Sequence, residues 1–282
     1  MQTSPVVQKG WLRVLLFMIA FLLFIFFGNS ILGLLIVLLG LNENNETLFY
    51  SSILLNFFIA LVLVSTFRKV FDRRSFKSLG FTWDGFGNER AAGFLTGILL
   101  ITVMATVLWS MGLLQWFFAE VQLPDLVLVT VIMMVVSIAE EMVFRGYILN
   151  NLMQSMPKQA ALFTSALLFA GFHSLNPNFN LIAFINIFIA GVLLGCNYIY
   201  TRNLWFAIFF HFSWNFFQGP VLGFEVSGLE LPTLLEQNIK GSILLTGGDF
   251  GLEASWLATF TMALMTLVLF NLFQRKYNGT VE

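Results

Sequence analysis

Residues 126–149, "LVLVTVIMMVVSIAEEMVFRGYIL", decide how this chain is built. The first half of the stretch is apolar enough for the interior of a lipid bilayer, but Glu140, Glu141 and Arg145 follow in the second half. One charged side chain at the centre of a bilayer costs about 3 kcal/mol even on a lenient insertion scale. Three of them in one membrane segment therefore predict a buried polar site.

The composition places the whole chain in a membrane. Of its 282 residues, 58% are hydrophobic and only 10% are charged, whereas soluble domains contain about 25% charged residues. The net charge of -1 gives no reason to expect nucleic acid as a partner. The single cysteine, Cys196, excludes an internal disulfide framework and is interpreted as a small packing residue. We therefore expect an integral membrane protein in contact with the lipid bilayer.

The hydropathy pattern predicts an all-α fold: a polytopic bundle of about eight transmembrane helices, each needing about 20 mostly apolar residues. We expect it to form one integral-membrane domain over residues 1–282. The predicted spans are residues 11–40, 47–67, 91–118, 126–152, 157–174, 180–200, 203–219 and 253–273. We expect the first span to be broken near "GNS" at residues 28–30.

The basic residues test this count of spans. With eight spans and a cytoplasmic N-terminus, all but two of the 14 lysines and arginines fall on the cytoplasmic side. They are Lys9, Arg13, Arg68, Lys69, Arg73, Arg74, Lys77, Arg90, Lys158, Arg202, Arg275 and Lys276. Because lysine and arginine in short loops stay inside, the pattern predicts both termini in the cytoplasm, in a plasma (inner) membrane.

Spacing assigns different surroundings to the three charged residues of the opening stretch. Glu141 and Arg145 are four residues apart, so they share a helix face and can pair. Glu140 is rotated by about 100° from Glu141 and can point into a different crevice. The alternative is that all three form a buried ionic cluster that only joins helices, with Glu140 protonated.

The two histidines of the chain argue against the alternative of a purely structural ionic cluster. His173 and His211 both lie in other predicted spans, with Phe169 four residues before the first and Asn215 four residues after the second. Counted at about 1.5 Å per residue from the cytoplasmic ends of their spans, Glu140 lies roughly 18 Å, His173 roughly 25 Å and His211 roughly 12 Å deep. These depths are compatible with one cavity.

Such a set of side chains suits the hydrolysis of an acyl bond. A glutamate and a histidine can activate a water, and a second histidine with an asparagine amide can stabilise an oxyanion. Alternatively, Glu140, His173 and His211 resemble a zinc site with two histidines, a glutamate and a water. The sequence leaves both mechanisms open, so the cofactor is either a divalent metal such as zinc or none.

Motifs of other intramembrane hydrolases are missing. The chain contains no H-E-x-x-H zinc motif. Residues 28–31, "GNSI", lack the second glycine of a G-x-S-G nucleophile motif. Residues 246–249, "TGGD", lack the first glycine of G-x-G-D, and no second intramembrane aspartate accompanies them.

Three motifs occur in order along the chain: E-E-x-x-x-R at residues 140–145, F-x-x-x-H at residues 169–173 and H-x-x-x-N at residues 211–215. In this the chain resembles the CPBP family, the CAAX prenyl endopeptidase type II and bacteriocin-processing (Abi) intramembrane proteases, once treated as metalloproteases. The resemblance covers roughly residues 91–219, which would be the catalytic core.

The resemblance implies an eight-helix membrane endopeptidase with a conical cavity open to the cytoplasm. Glu140 and His173 would activate water, and His211 with Asn215 would stabilise the oxyanion. Site-shaping roles would fall to Glu141, Arg145 and Phe169. The substrate would be a peptide or the C-terminal part of a protein, with or without a prenyl group, or a bacteriocin-like peptide.

Two other functions are compatible with the sequence. One is a non-enzymatic immunity or scaffold protein that keeps the fold and binds partners. The other is a transporter whose glutamates and histidines relay protons, although the chain shows no duplicated half of the kind that many transporters have.

Overall fold

The computed structural model describes residues 4–40 and 45–277. The predicted domain of residues 1–282 also includes residues 1–3, 41–44 and 278–282, which lie outside the described residues. The structure is 73% helical with almost no sheet, so the predicted polytopic helical bundle is confirmed. Its long helices are Gly10–Leu38, Asn45–Val70, Gly87–Ser110, Leu123–Glu141, Lys158–His173, Leu181–Thr201, Trp205–Phe216 and Trp256–Tyr277.

Shorter elements complete the described chain. The helix Leu123–Glu141 continues without interruption through a wider π-helical segment, Met142–Leu149, into Asn150–Leu152, and the helix Trp205–Phe216 continues into a second π-helical segment, Phe217–Val221. Short helical turns are Phe76–Leu79, Ile243–Thr246, Gly248–Phe250 and Leu252–Ala254. Strands Leu114–Phe118 and Leu235–Ile239 form an antiparallel pair in which Leu114 lies opposite Ile239.

Six helical stretches within the described residues are long and apolar enough to cross a membrane. They are Gly10–Leu38, Leu48–Val70, Gly87–Ser110, Leu123–Leu152, Leu181–Thr201 and Trp256–Tyr277. The predicted spans 157–174 and 203–219 also contain helices, but these have 16 and 12 residues and fall below the length of a span. The chain is thus an integral membrane protein, and the predicted count of eight spans is not confirmed.

Two details of the predicted spans are wrong. The span at residues 91–118 ends as a helix at Ser110 because Gly112 adopts a left-handed backbone (φ +72°), and the apolar residues after it form a strand. The expected break near residues 28–30 is absent from the helix Gly10–Leu38. The polar side chain of Asn29 is accommodated within the bundle, because its Nδ2 donates to Asn56 Oδ1 (2.8 Å).

A pair of glycines brings two helices into close contact. Gly93 and Gly97 lie on the helix Gly87–Ser110 with the small-x-x-x-small spacing that allows helix backbones to approach in membranes. A Cβ atom at Gly97 would lie 2.1 Å from Ser213 Oγ and 2.8 Å from the backbone oxygen of Phe210. These contacts fix the position of the helix Trp205–Phe216, which carries His211 and is called the His211 helix below.

The connections between helices gather at two ends of the bundle. At one end, called the basic end, Leu204 N donates to Gly80 O (3.0 Å), so the connections 71–86 and 202–204 lie together. At the opposite end, called the far end, Ala119 N donates to Leu234 O (3.0 Å), beside the strand pair. The far end comprises residues 39–40, 111–122, 174–180 and 222–255.

A buried ionic cluster locks the basic end. Asp72 accepts hydrogen bonds from Arg13 Nη1 and Arg68 Nη1, each at 2.7 Å, and all three side chains are almost completely buried. Asn151 donates from Nδ2 to Asp72 Oδ2 (3.2 Å). Because a buried charge is tolerated only when it is paired, the cluster ties the first two helices to the segment that follows the two glutamates.

Candidate active site

Three side chains from three helices converge on one point. Glu140 lies near the end of the helix Leu123–Glu141, and its Oε2 atom is buried without a hydrogen-bond partner among the described residues. This oxygen lies 3.8 Å from His173 Nε2 and 3.8 Å from His211 Nε2. The structure therefore brings together Glu140, His173 and His211, which the sequence places in separate segments.

His173 is held by its own helix. It is the last residue of Lys158–His173, and its Nδ1 lies 2.9 Å from the backbone oxygen of Phe169, one turn earlier. A carbonyl oxygen can only accept, so Nδ1–H donates to Phe169. The lone pair of the neutral imidazole is then on Nε2, which faces Glu140.

His211 is held by the second glutamate. Its Nδ1 lies 2.9 Å from Glu141 Oε1, and the same oxygen accepts from Arg145 Nη1 at 2.8 Å. Arg145 also donates from Nη2 to the backbone oxygen of Gly191 (3.2 Å). The expected pair of Glu141 and Arg145 is therefore present, and it is fully buried. Because Nδ1–H donates to the carboxylate, His211 too directs Nε2 toward Glu140.

This arrangement needs a hydrogen donor or a cation at its centre. A carboxylate oxygen of Glu140 and an imidazole Nε2 with a lone pair, as in neutral His173, are both acceptors. Two acceptors 3.8 Å apart are stabilised when a water or another donor lies between them. A water that donates both of its hydrogens satisfies both atoms and leaves its own lone pairs available for attack.

Phe169 and Asn215 complete the predicted set. The Phe169 ring lies 4.5 Å from the His173 ring and 4.3 Å from the guanidinium carbon of Arg145, so it separates the two groups. Asn215 lies one helical turn after His211 and lines the same cavity. All the residues predicted for the site thus lie in or directly behind one cavity.

Two of the three motif-bearing helices change their winding just after the site. Residues 142–149 follow Glu140 and Glu141 as a π-helical segment, and residues 217–221 follow Asn215 as another. Such widened turns are rare and occur often at functional sites. In the second segment Pro220 supplies no backbone N–H, which favours a break in the regular pattern.

The cavity in front of these residues has a volume of about 510 Å³, within the usual range of ligand-binding pockets. Its walls are largely aromatic and aliphatic; they include Phe21, Phe49, Ile53, Phe57, Phe144 and Phe172. Polar groups are concentrated at Glu140, His173, His211, Asn215, Ser227 and Glu253. The cavity therefore combines an apolar surface with one hydrophilic wall.

Glu253 is a cavity residue that the sequence interpretation missed. Its Oε2 accepts from the backbone N–H (2.7 Å) and the hydroxyl (2.8 Å) of Ser227, and its Oε1 accepts from Trp214 Nε1 (3.2 Å). Burial raises the pKa of Glu253, an effect that the hydrogen bonds from Ser227 and the nearby His173 oppose. The one available signal was an acidic residue at the first position of an apolar run.

Asn186 forms hydrogen bonds with the backbone at Glu253. Its side-chain nitrogen donates to the backbone oxygens of Glu253 (2.7 Å) and Ser255 (2.8 Å), and its side-chain oxygen accepts from Thr259 (2.6 Å). Asn186 thus lines the cavity and also joins two helices through hydrogen bonds.

The donor atoms of Glu140, His173 and His211 are of the type that binds zinc, but their spacing does not fit a metal. Ligands about 2.1 Å from a tetrahedral zinc are about 3.4 Å apart, whereas Glu140 Oε2 lies 3.8 Å from each imidazole nitrogen. Within residues 4–40 and 45–277, no group of three histidine, cysteine or carboxylate side chains is placed to hold a metal ion.

Comparison with protein families identifies one match. Residues 122–217 match the family described as type II CAAX prenyl endopeptidase Rce1-like. This segment contains all three sequence motifs, so the match confirms the predicted resemblance to the CPBP/CAAX protease family. The description of that family names an endopeptidase, which is a hydrolase. Comparison of the chain with curated proteins and with solved structures gives no match.

Proposed function

We propose that this protein is an intramembrane endopeptidase of the CAAX-processing type, which cleaves a peptide bond with a water activated by Glu140 and His173. The observation that carries the proposal is the convergence of Glu140 Oε2 with the Nε2 atoms of His173 and His211. The family match over residues 122–217 supports it independently.

The water would bind between Glu140 and the imidazoles. An oxygen about 2.8 Å from Glu140 Oε2 can also lie within hydrogen-bond distance of His173 Nε2, because those two atoms are only 3.8 Å apart. As the water oxygen bonds to the carbonyl carbon, one water proton passes to Glu140. When the carbon–nitrogen bond breaks, Glu140 returns this proton to the departing nitrogen, which leaves one carboxylic acid and one amine.

The oxyanion would be stabilised from the His211 helix. Glu141, itself paired with Arg145, fixes the orientation of His211 and stabilises an imidazolium there. His211 would be an imidazolium before the water attacks, so its Nε2–H can donate to the oxyanion and keeps its proton throughout, and the amide of Asn215 adds a second donor one turn further along. Removing one such donor typically costs about 100- to 1,000-fold in rate.

The cavity walls suit an apolar or lipid-modified segment next to the cleaved bond, because most of the lining side chains are aromatic or aliphatic. We infer a substrate that is a peptide or the terminal segment of a protein. Such a substrate can be a protein whose terminal segment carries a prenyl group, or a bacteriocin-like peptide.

Glu140→Gln tests the mechanism directly. Glutamine has nearly the same shape but cannot accept the proton, so we expect cleavage to fall by at least about 100-fold while the protein still folds. Wild-type and variant protein would be incubated with host membrane peptides, and the products identified by mass spectrometry.

The matched control for this experiment is Glu120→Gln, which makes the same chemical change at an exposed position outside the cavity. It should leave cleavage unchanged. A Glu140→Gln protein that cleaves as well as the control would exclude Glu140 as the base.

A further inference from the structure

The rim of the cavity lies at the far end of the bundle. Residues from connections at that end line it: Leu175, Asn176, Val226, Ser227, Leu229, Leu231 and Glu253. Leu175 is 86% exposed, so the cavity reaches the surface beside His173. Of the described connections at the basic end, residues 71–86, 153–157 and 202–204, none contributes to the lining.

Contacts across the far end make this rim a defined structure. The loop at residues 222–234 is held by Glu253 through Ser227, and Ser227 O in turn accepts from Asn176 Nδ2 (3.2 Å). Gly228 N donates to Phe250 O (3.0 Å). The loop therefore frames one side of the cavity entrance, where its Val226 and Leu231 pack in one cluster with Met133 of the helix that carries Glu140.

Positive charge is concentrated at the other end. Of the 14 lysines and arginines, Lys240 is in the far-end connections and Arg145 is at the site. The other twelve lie at or near the basic end. Lysine and arginine in short loops mark the cytoplasmic side of a membrane protein, so this rule assigns the basic end to the cytoplasm.

We infer that the cavity receives its substrate from the non-cytoplasmic side of the membrane. The inference rests on the proposed peptidase function and specifies its substrate as a peptide segment at the non-cytoplasmic membrane surface, such as an exported peptide or an external segment of a membrane protein. The family resemblance implies a cavity open to the cytoplasm. That expectation and the charge pattern exclude each other here, because the rim and the basic connections lie at opposite ends.

Cysteine labelling tests the inference without any cleavage assay. The native Cys196 is fully buried, so single cysteines can be introduced into the otherwise unchanged chain. Leu175→Cys places a thiol at the rim, and Val136→Cys places one inside the cavity, one turn before Glu140. Lys77→Cys, exposed at the basic end, is the matched control. Intact cells would be treated with a membrane-impermeant maleimide, before and after permeabilisation.

We expect Leu175→Cys and Val136→Cys to be labelled in intact cells and Lys77→Cys only after permeabilisation. Labelling of Lys77→Cys in intact cells, with Leu175→Cys protected, would overturn the assignment of sides. Labelling of Val136→Cys only together with Lys77→Cys would overturn the position of the entrance. Because labelling does not depend on catalysis, failure of the Glu140→Gln test would leave this result valid, and the reverse also holds.

Discussion

At the scale of single residues, the adjacent Glu140 and Glu141 have different surroundings and therefore different roles. Glu140 directs a partnerless oxygen to the centre of the site, while Glu141 is fully buried between Arg145 and His211. The first can exchange a proton, and the second keeps a charge in place. This difference follows from their rotation by about 100° around one helix.

The buried pair of Glu141 and Arg145 gives a prediction about stability. Glu141→Leu leaves Arg145 buried without its carboxylate, which should cost about 3–5 kcal/mol. Adding Arg145→Leu should restore part of that loss, because two apolar residues replace two charges. Thermal unfolding in detergent would measure both. The double variant should nevertheless stay poorly active, since His211 has lost its partner.

A double variant no more stable than Glu141→Leu would contradict the pairing. High cleavage activity in that double variant would show that Glu141 is not needed to position His211.

The spacing of the site atoms also gives a prediction about metal dependence. Glu140 Oε2 and the imidazole nitrogens are 3.8 Å apart, wider than a tetrahedral zinc site requires. We therefore expect a chelator to leave the cleavage rate of purified protein unchanged, and elemental analysis to find less than one metal ion per chain. Activity that disappears on chelation and returns with zinc would show that the site contracts around a metal.

At the scale of helices, the glycine pair on Gly87–Ser110 determines where His211 lies. Gly97→Leu would push side-chain atoms into Ser213 and the backbone of Phe210, and such overpacking costs about 1–3 kcal/mol. A shift of about 1 Å at a catalytic group can cost 100-fold in rate, so we expect activity to fall more steeply than stability.

The control is Gly33→Leu, the same change in the helix Gly10–Leu38, where a Cβ atom meets no described atom within 4 Å. Activity and thermal unfolding would be compared for both variants. If Gly97→Leu behaves like Gly33→Leu, the close helix contact does not position the site.

The helices also show how far sequence can predict such a site. The pair of Glu141 and Arg145 follows from spacing within one helix, and the structure contains it. The contact of Glu141 with His211 joins residues 70 positions apart, and that of Glu253 with Ser227 joins a helical turn to a loop. These depend on tertiary packing, which neither hydropathy nor motif spacing reports.

At the scale of the whole molecule, hydropathy predicts the helical bundle and the order of its helices well. It fails where apolar residues serve another purpose, as in Leu114–Phe118, which forms a strand. It also predicts full spans at the two segments that carry the histidines, whose helices have only 16 and 12 residues. Most side chains of the shorter helix, Trp205–Phe216, are apolar because they are buried inside the protein. The direction in which the cavity opens could not be deduced from periodicity at all.

The two helices that carry His173 and His211 have 16 and 12 residues, too few to match a hydrocarbon layer about 30 Å thick. A bilayer adapts to a short hydrophobic element by thinning locally. Each cleavage would consume a water molecule, which a bilayer of full thickness supplies poorly. A dimple in the lipid beside Lys158–His173, whose Phe163 and Leu167 are exposed, would bring the aqueous phase closer to the reaction centre, so the shortness of this helix would itself serve hydration.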